Sequence, residues 1–243
     1  MMRYMTGMCF FALTCFSCSI LPQQRYCVGI DPTFYELDIP GQSTNVYLFI
    51  CDVLAEIGKS QHIALHPTIV SQNRLYDTLE TDVCHAVIGL MEPSVTTQAT
   101  YSFSQVILPT GPVLVVQTQR PFNSLYEMAG QNLALQQHTA QLEYLMAFPD
   151  VDKAFYLEIG PTLEALANNQ YGGALIPQLF ARSYIRNLYR EALTITDEPF
   201  NTEGLRLITA HKQQEELRSK INRGLKKLHK SGRWQQLLHK WQL

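Results

Sequence analysis

From residue 26 onward the sequence alternates short β-branched runs with stretches whose apolar residues recur every three to four positions. This order is the strongest constraint on the fold. Tyr26 to Ile30 reads as a strand ending at Asp31-Pro32. Ser43, Thr44 and Asn45 are candidate N-caps, and Val46, Ile50, Val53, Leu54 and Ile57 then mark one helical face that Gly58 is expected to close. Ile63 to Val70 reads as a second strand, with Pro67 arguing for a sheet edge or a bulge. Leu75 and Leu79 mark a short helix, and Ala86 to Leu90 a buried strand. A β-α-β-α-β order implies parallel strands with helices packed on the sheet.

A second round follows. Val113 to Val116 is strongly β-branched, a helix at about 124–129 leads to a strand at Leu133–Gln136, and Thr139 caps a helix through Met146. Ala154 to Leu157 is extended, and Pro161-Thr162 opens a helix at the favoured first position. Gly172-Gly173 turns the chain into a strand at Ala174–Ile176, before a helix over about 178–188. Two similar units result, about 25–112 and 113–198, followed by a helical segment from about 212. Two open α/β units facing each other make a cleft, and ligands of such sheets bind beyond the carboxyl ends of the strands.

The composition, 46% hydrophobic and 16% charged, excludes a disordered chain. Nineteen Lys and Arg against 21 Asp and Glu leave a net charge of -2, without an overall nucleic-acid footprint. Positive charge concentrates at the C-terminus, where Leu217, Ile221, Leu225 and Leu228, then Trp234, Leu237, Leu238 and Trp241, form two helical stripes. A membrane-surface or anionic-partner helix is one reading. A helix pair docked on a sheet, with its basic face in solvent, is the expected one.

Residues 1–17 read as a signal peptide: Arg3, then an apolar run from Met5 to Phe16 that is too short to span a ~30 Å hydrocarbon core. Ser17-Cys18-Ser19 resembles the end of a bacterial lipoprotein signal, although Cys15 stands where leucine is usual. Lipidation at Cys18 is the expectation; an ordinary cleaved signal and an uncleaved anchor are the alternatives. The rest of the chain is then expected at the periplasmic or extracytoplasmic face, lipid-anchored. Cys27, Cys51 and Cys84 remain, an odd number in apolar contexts, expected as buried free thiols with one disulfide as the alternative.

The stretch Glu215-Glu216-Leu217-Arg218-x-Lys220-Ile221-Asn222-x-Gly224-Leu225-x-x-Leu228-x-x-Ser231-Gly232, with Trp234 and Trp241, resembles the closing segment of extracytoplasmic amino-acid-binding proteins. These are the solute receptors of polar amino-acid ABC importers. Val28-Gly29-Ile30-Asp31-x-x-Phe34, Leu79-Glu80-Thr81 with Ala86-Val87-Ile88-Gly89, Tyr101-Ser102-Phe103-Ser104, and Gly130-Gln131-x-Leu133-Ala134-Leu135-Gln136 with Thr139 and Tyr144 look similar in the same order. The resemblance implies an α/β, two-lobed periplasmic-binding-protein fold of type II, two open sheets joined by two crossover strands. Residues 18–112 with 205–243 would form one lobe and 113–204 the other, with crossovers near Leu114–Gln117 and Gly204–Ile208. It also implies a small polar solute, amino-acid-like, and an ABC permease as partners, with no cofactor.

The ligand chemistry departs from the family. Where the family places an arginine for the solute carboxylate stands Thr97, and no Arg or Lys occurs between Arg74 and Arg120. The threonine after the strand glycine appears as Met91, the stacking aromatic as Gln72, and the ammonium-binding carboxylate as Pro177-Gln178. Asp31, Phe34 and Thr139 persist, and Gln136 ends the strand before Thr139. The resemblance thus implies a ligand set of Asp31, Phe34, Gln72, Met91, Glu92, Thr97, Gln136, Thr139 and Gln178. A receptor for another solute and an interaction lipoprotein with a degenerate cleft are the alternatives. A dehydratase-like enzyme using Glu92 is a further one, against an exposed loop glutamate. His62 and His66 flank a strand carrying Pro67, which argues against a metal pair, and His138 is placed near the cleft or in solvent. No P-loop or nucleophile elbow is present.

Lipidation has a direct readout. Radiolabelled palmitate is expected to enter the full chain in a bacterial host and to be lost from Cys18→Ala; equal labelling of that variant would move the anchor elsewhere or remove it.

Overall fold

A computed structural model describes residues 24–33, 36–39, 42–136, 145–196 and 199–243. The signal segment with Cys18, and Phe34, His138 and Thr139 with most of the helix expected there, lie outside the described residues. In chain order the elements are β1 (Arg25–Ile30), β2 (Glu36–Ile39), β3 (Gln42–Asn45), α1 (Val46–Gln61), β4 (Ala64–Ile69), α2 (Asp77–Glu80), β5 (Ala86–Gly89), α3 (Val95–Thr100), β6 (Tyr101–Pro109) and β7 (Pro112–Gln117). They continue with β8 (Asn132–Gln136), β9 (Asp152–Tyr156), α4 (Ile159–Ala167), β10 (Gly173–Pro177), α5 (Gln178–Leu188), β11 (Leu193–Thr196), β12 (Gly204–Ala210), α6 (Glu215–Lys230) and α7 (Arg233–Trp241).

Two five-stranded sheets form, ordered β4-β1-β5-β12-β6 and β11-β7-β10-β8-β9, beside the small β2-β3 hairpin. β1 pairs in parallel with β4 and β5, as the β-α-β-α-β reading requires. Pro67 lies opposite Val28 on the edge strand, where its missing N–H costs no ladder bond. β7 is apolar from Pro112 to Val116 because both its faces are covered: Val113 and Val115 enter one core, Leu114 and Val116 the other.

Three local expectations are corrected. Gly58 does not close α1, which runs on to Gln61 and ends at His62 with φ 55°. Pro161 is the third residue of α4, still in the first turn where N–H groups have no intrahelical acceptor. Leu114–Gln117 and Gly204–Ile208 are not the crossings: the first lies within β7 and the second within β12, each inside a sheet. The chain passes between sheets at Pro109–Pro112 and on the approach to Gly204.

The C-terminal helices dock, as expected. Leu217, Ile221, Leu225, Leu228, Trp234 and Leu237 join Phe49, Ile50, Val53, Leu54 and Ile57 in one core. The Phe49 and Trp234 rings meet edge to face at 5.3 Å. Asp52 anchors the end: Trp241 Nε1 donates to its carboxylate at 2.9 Å and Lys240 pairs with it. Partial burial alone would raise the Asp52 carboxyl, but these bonds and the Lys240 and Arg233 charges outweigh it and hold the group below its ordinary value.

Gly224 permits a close approach of α6 to α1, because a Cβ there would stand 2.7 Å from Ile57 Cγ2. Gly224→Val is therefore expected to cost ~1–3 kcal/mol through overpacking, read as a lower urea midpoint. Lys226→Ala, on the exposed face of the same helix, is the control, and an unchanged midpoint for the valine variant would contradict the packing account.

Candidate functional site

Strand direction decides where a ligand can bind. In the first sheet β1, β4 and β5 are parallel, so Asp31, Val70 and Leu90 leave the sheet at one edge. Antiparallel β12 enters at that edge, with Arg206 opposite Gly89, and β6 leaves there, with Pro109 opposite Gly204. In the second sheet β8, β9 and β10 are parallel, and Pro177 at the end of β10 pairs with Pro112 at the start of β7. Thus the carboxyl edges of both parallel sets lie at the two crossing segments. These segments are bonded to each other: Thr110 N–H donates to the Glu203 carbonyl at 3.0 Å.

Part of the expected ligand set comes together at this edge. Asp31, Pro32, Thr33, Ile69, Ser71, Gln72 and Asn73 line a concavity of about 560 Å³. Asp31 is 3% exposed, and its Oδ1 accepts from the Thr33 N–H at 2.8 Å and the Thr33 hydroxyl at 2.7 Å. The carboxylate thus fixes the turn after β1, a local bond pattern typical of Asp. Met91 is half-buried beside Tyr76, whose hydroxyl is raised above its ordinary range chiefly by burial.

Other members go elsewhere. The Thr97 hydroxyl donates to the Glu92 carbonyl at 2.7 Å and accepts from the Ser94 N–H at 2.8 Å. Ser94 Oγ in turn accepts from the Thr97 N–H, completing a reciprocal cap of α3. The residue at the position where the resemblance places an arginine thus caps a helix. Gln178 opens α5 with its N–H bonded to the Gly111 carbonyl. Its side chain lies with Leu108, Pro109, Arg182 and Trp234, away from the Asp31 wall. With its amide oriented to satisfy its neighbours, the oxygen accepts from Arg182 Nη2 and Nε. Gln136 is exposed at the end of β8.

The sequence reading missed Arg206. It is 9% exposed, in a strand otherwise apolar around it. Nη2 donates to the Thr202 carbonyl at 2.8 Å and Nη1 to the Ser104 carbonyl at 3.3 Å, so the side chain runs back toward the crossing segment. The β12–β6 register shifts on both sides of Arg206, the kind of irregularity that re-aims a side chain. Nε is buried without a partner, and among the described residues no carboxylate forms an ion pair with the guanidinium. A buried cation satisfied only by carbonyls retains donors for an anion. Glu92, exposed and three residues past β5, is its charged neighbour, and Glu203 in turn lies near Glu92. Burial and then Glu203 raise the Glu92 carboxyl above its ordinary value, while Arg206 pulls it down. Burial lowers Arg206 from the usual guanidinium value, and Glu92 opposes that shift. One guanidinium close to one carboxylate, with a second carboxylate near the first, is a charge set for a zwitterion. Among the described residues no group of His, Cys, Asp and Glu is arranged to hold a metal ion.

Comparison with known proteins agrees with this architecture. A substrate-binding domain of a putative amino acid ABC transporter from Streptococcus pneumoniae superposes with a TM-score of 0.72 at 16% identity, over 89% of this chain and 99% of that one. The L-cystine solute receptor of Neisseria gonorrhoeae, unliganded and open, gives 0.72 at 18% identity, over 90% and 93%. A polar amino acid ABC uptake transporter substrate-binding protein from Streptococcus thermophilus gives 0.69 at 21%, over 89% and 85%. The chain shares with them the type II periplasmic-binding-protein fold. No protein of curated function matches the sequence. The sequence profile of the bacterial extracellular solute-binding proteins, family 3, matches residues 26–243, and the chain belongs to that family.

Proposed function

We propose that this chain is the extracytoplasmic receptor of an ABC importer and captures a free amino acid, or a closely related zwitterion, between the carboxyl edges of its two sheets. Buried Arg206, without an ion pair and close to Glu92 at that edge, with Glu203 near Glu92, carries the reading. Arg206 would take the solute carboxylate, replacing the arginine that Thr97 displaces. Glu92, assisted by Glu203, would take the ammonium that Gln178 does not reach. Asp31 and Gln72 would form the wall facing the solute side chain, with Phe34 and Thr139 retained from the family pattern. The amino-acid solutes named for the Streptococcus thermophilus and Neisseria gonorrhoeae proteins support this class.

Residues 18–112 with 205–243 would act as one lobe and 113–204 as the other, hinged at the bonded crossing segments. The role is binding and delivery to a permease, without catalysis, from a position anchored through lipid on Cys18.

Calorimetric titration with free amino acids, their α-amides and the corresponding decarboxylated amines tests the assignment. A free amino acid is expected to bind, with its amide and amine weaker. Arg206→Met is expected to weaken the free acid about 10- to 100-fold, the worth of one charge-assisted hydrogen bond at ~1.5–3 kcal/mol. Glu92→Gln is expected to weaken it without restoring the amine. If no amino acid binds the unmodified protein, the solute class is wrong. If one binds both proteins equally, the solute class stands and Arg206 is not its anchor.

A further inference from the structure

Three cysteines fall in the described part of the chain, and two of them meet. Cys27 Sγ lies 2.7 Å from Cys84 Sγ, whereas Cys51 sits on α1. We propose that Cys27 and Cys84 are a disulfide-forming pair that bonds in the extracytoplasmic space where this family works, joining β1 to the entry of β5.

The backbone already holds both residues in register. Cys27 N–H donates to His85 Nδ1 at 3.0 Å, His85 N–H donates to the Cys27 carbonyl at 3.1 Å, and Cys84 N–H donates to the Thr78 carbonyl at 3.1 Å. Gly29, two residues along β1 on the same face, borders the pair: a Cβ there would stand 3.5 Å from Cys84 Sγ, an ordinary contact. Closing 2.7 Å to the ~2.05 Å of a disulfide needs only small side-chain rotation. Oxidation also accounts for the odd number: one pair and one single thiol, Cys51.

The two thiols have different parts. Cys84 is 1% exposed, and burial together with the neighbouring Cys27 pushes its thiol up to about 12. Cys27 is half-buried and is the accessible member. As its thiolate, Cys27 attacks one sulfur of an external disulfide, whose S–S bond breaks and releases one thiolate. Cys84 loses its proton to solvent and attacks the Cys27 sulfur of the mixed disulfide, expelling the second thiolate. Two cysteine thiols are oxidised by two electrons, and the external disulfide is reduced to two thiols that carry the two protons. The bridge closes a loop across a sequence separation of 57, which restricts the unfolded chain. It also fixes the strand that leads into Asp31.

The test uses the full chain and glutathione disulfide as the oxidant under native conditions. Expected are a linked peptide containing Cys27 and Cys84, a mass lower by two hydrogen atoms, and a higher urea midpoint than for the reduced protein. Cys27→Ser should show no linked peptide, and Cys51→Ser should behave as the unmodified chain. Recovery of both Cys27 and Cys84 as alkylatable thiols after the treatment, or linkage through Cys51, would overturn the proposal. The comparison of oxidised with reduced unmodified protein decides the matter even if the Cys27 variant fails to fold.

Discussion

The hydrogen bond from Thr110 N–H to the Glu203 carbonyl, 3.0 Å long, ties together the two places where the chain passes between its sheets. The rest of the architecture follows from those places being neighbours. β6 leaves the first sheet at the edge where β12 re-enters it, and both crossings meet the second sheet beside the end of β10. Each sheet therefore turns its carboxyl edge toward the same junction. Two short segments joined by a backbone bond link the sheets, and apolar contact also crosses between them, where Leu179 of α5 is buried in the core of the first sheet.

Such an edge gathers turns rather than side-chain layers, so its chemistry depends on what those turns leave unsatisfied. Asp31 is internally bonded to Thr33, and Thr97 is consumed by its own helix. Arg206 differs. Its guanidinium is held by two carbonyls, lies near the Glu92 carboxylate without an ion pair, and keeps an orphaned Nε. Leaving a buried cation in that state is costly unless an anion completes it. A solute carboxylate would do so while its ammonium relieves the repulsion between Glu92 and Glu203.

Much of the fold was legible because its elements are punctuated. The runs of β1 and β5 stand between polar turns, and α5 falls at 178–188 as its spacing required. β12 was harder to read: Arg206 interrupts Gly204–Ile208, and the segment passed for a crossing although it is an interior strand. β2, β3 and β11 were missed, being short and polar or Thr-rich, and so was the longer β6, whose first half alternates Tyr101 and Phe103 with Ser102 and Ser104. The site was legible in part. Family position pointed to Thr97, but the Ser94-x-x-Thr97 spacing that caps α3 is a local signal of equal clarity, and it is the one the backbone follows. Arg206 left a signal too, a lone cation in an apolar run just after Glu203, but only the sheet register shows that it sits at the cleft edge.

The central claim is that two sheets with facing carboxyl edges close on one solute through a bonded pair of crossings. Small-angle X-ray scattering of the protein with and without the amino acid that binds most tightly tests it most directly. The account predicts a smaller radius of gyration in the bound state, as hinge closure requires. Tight binding with an unchanged scattering profile would contradict it.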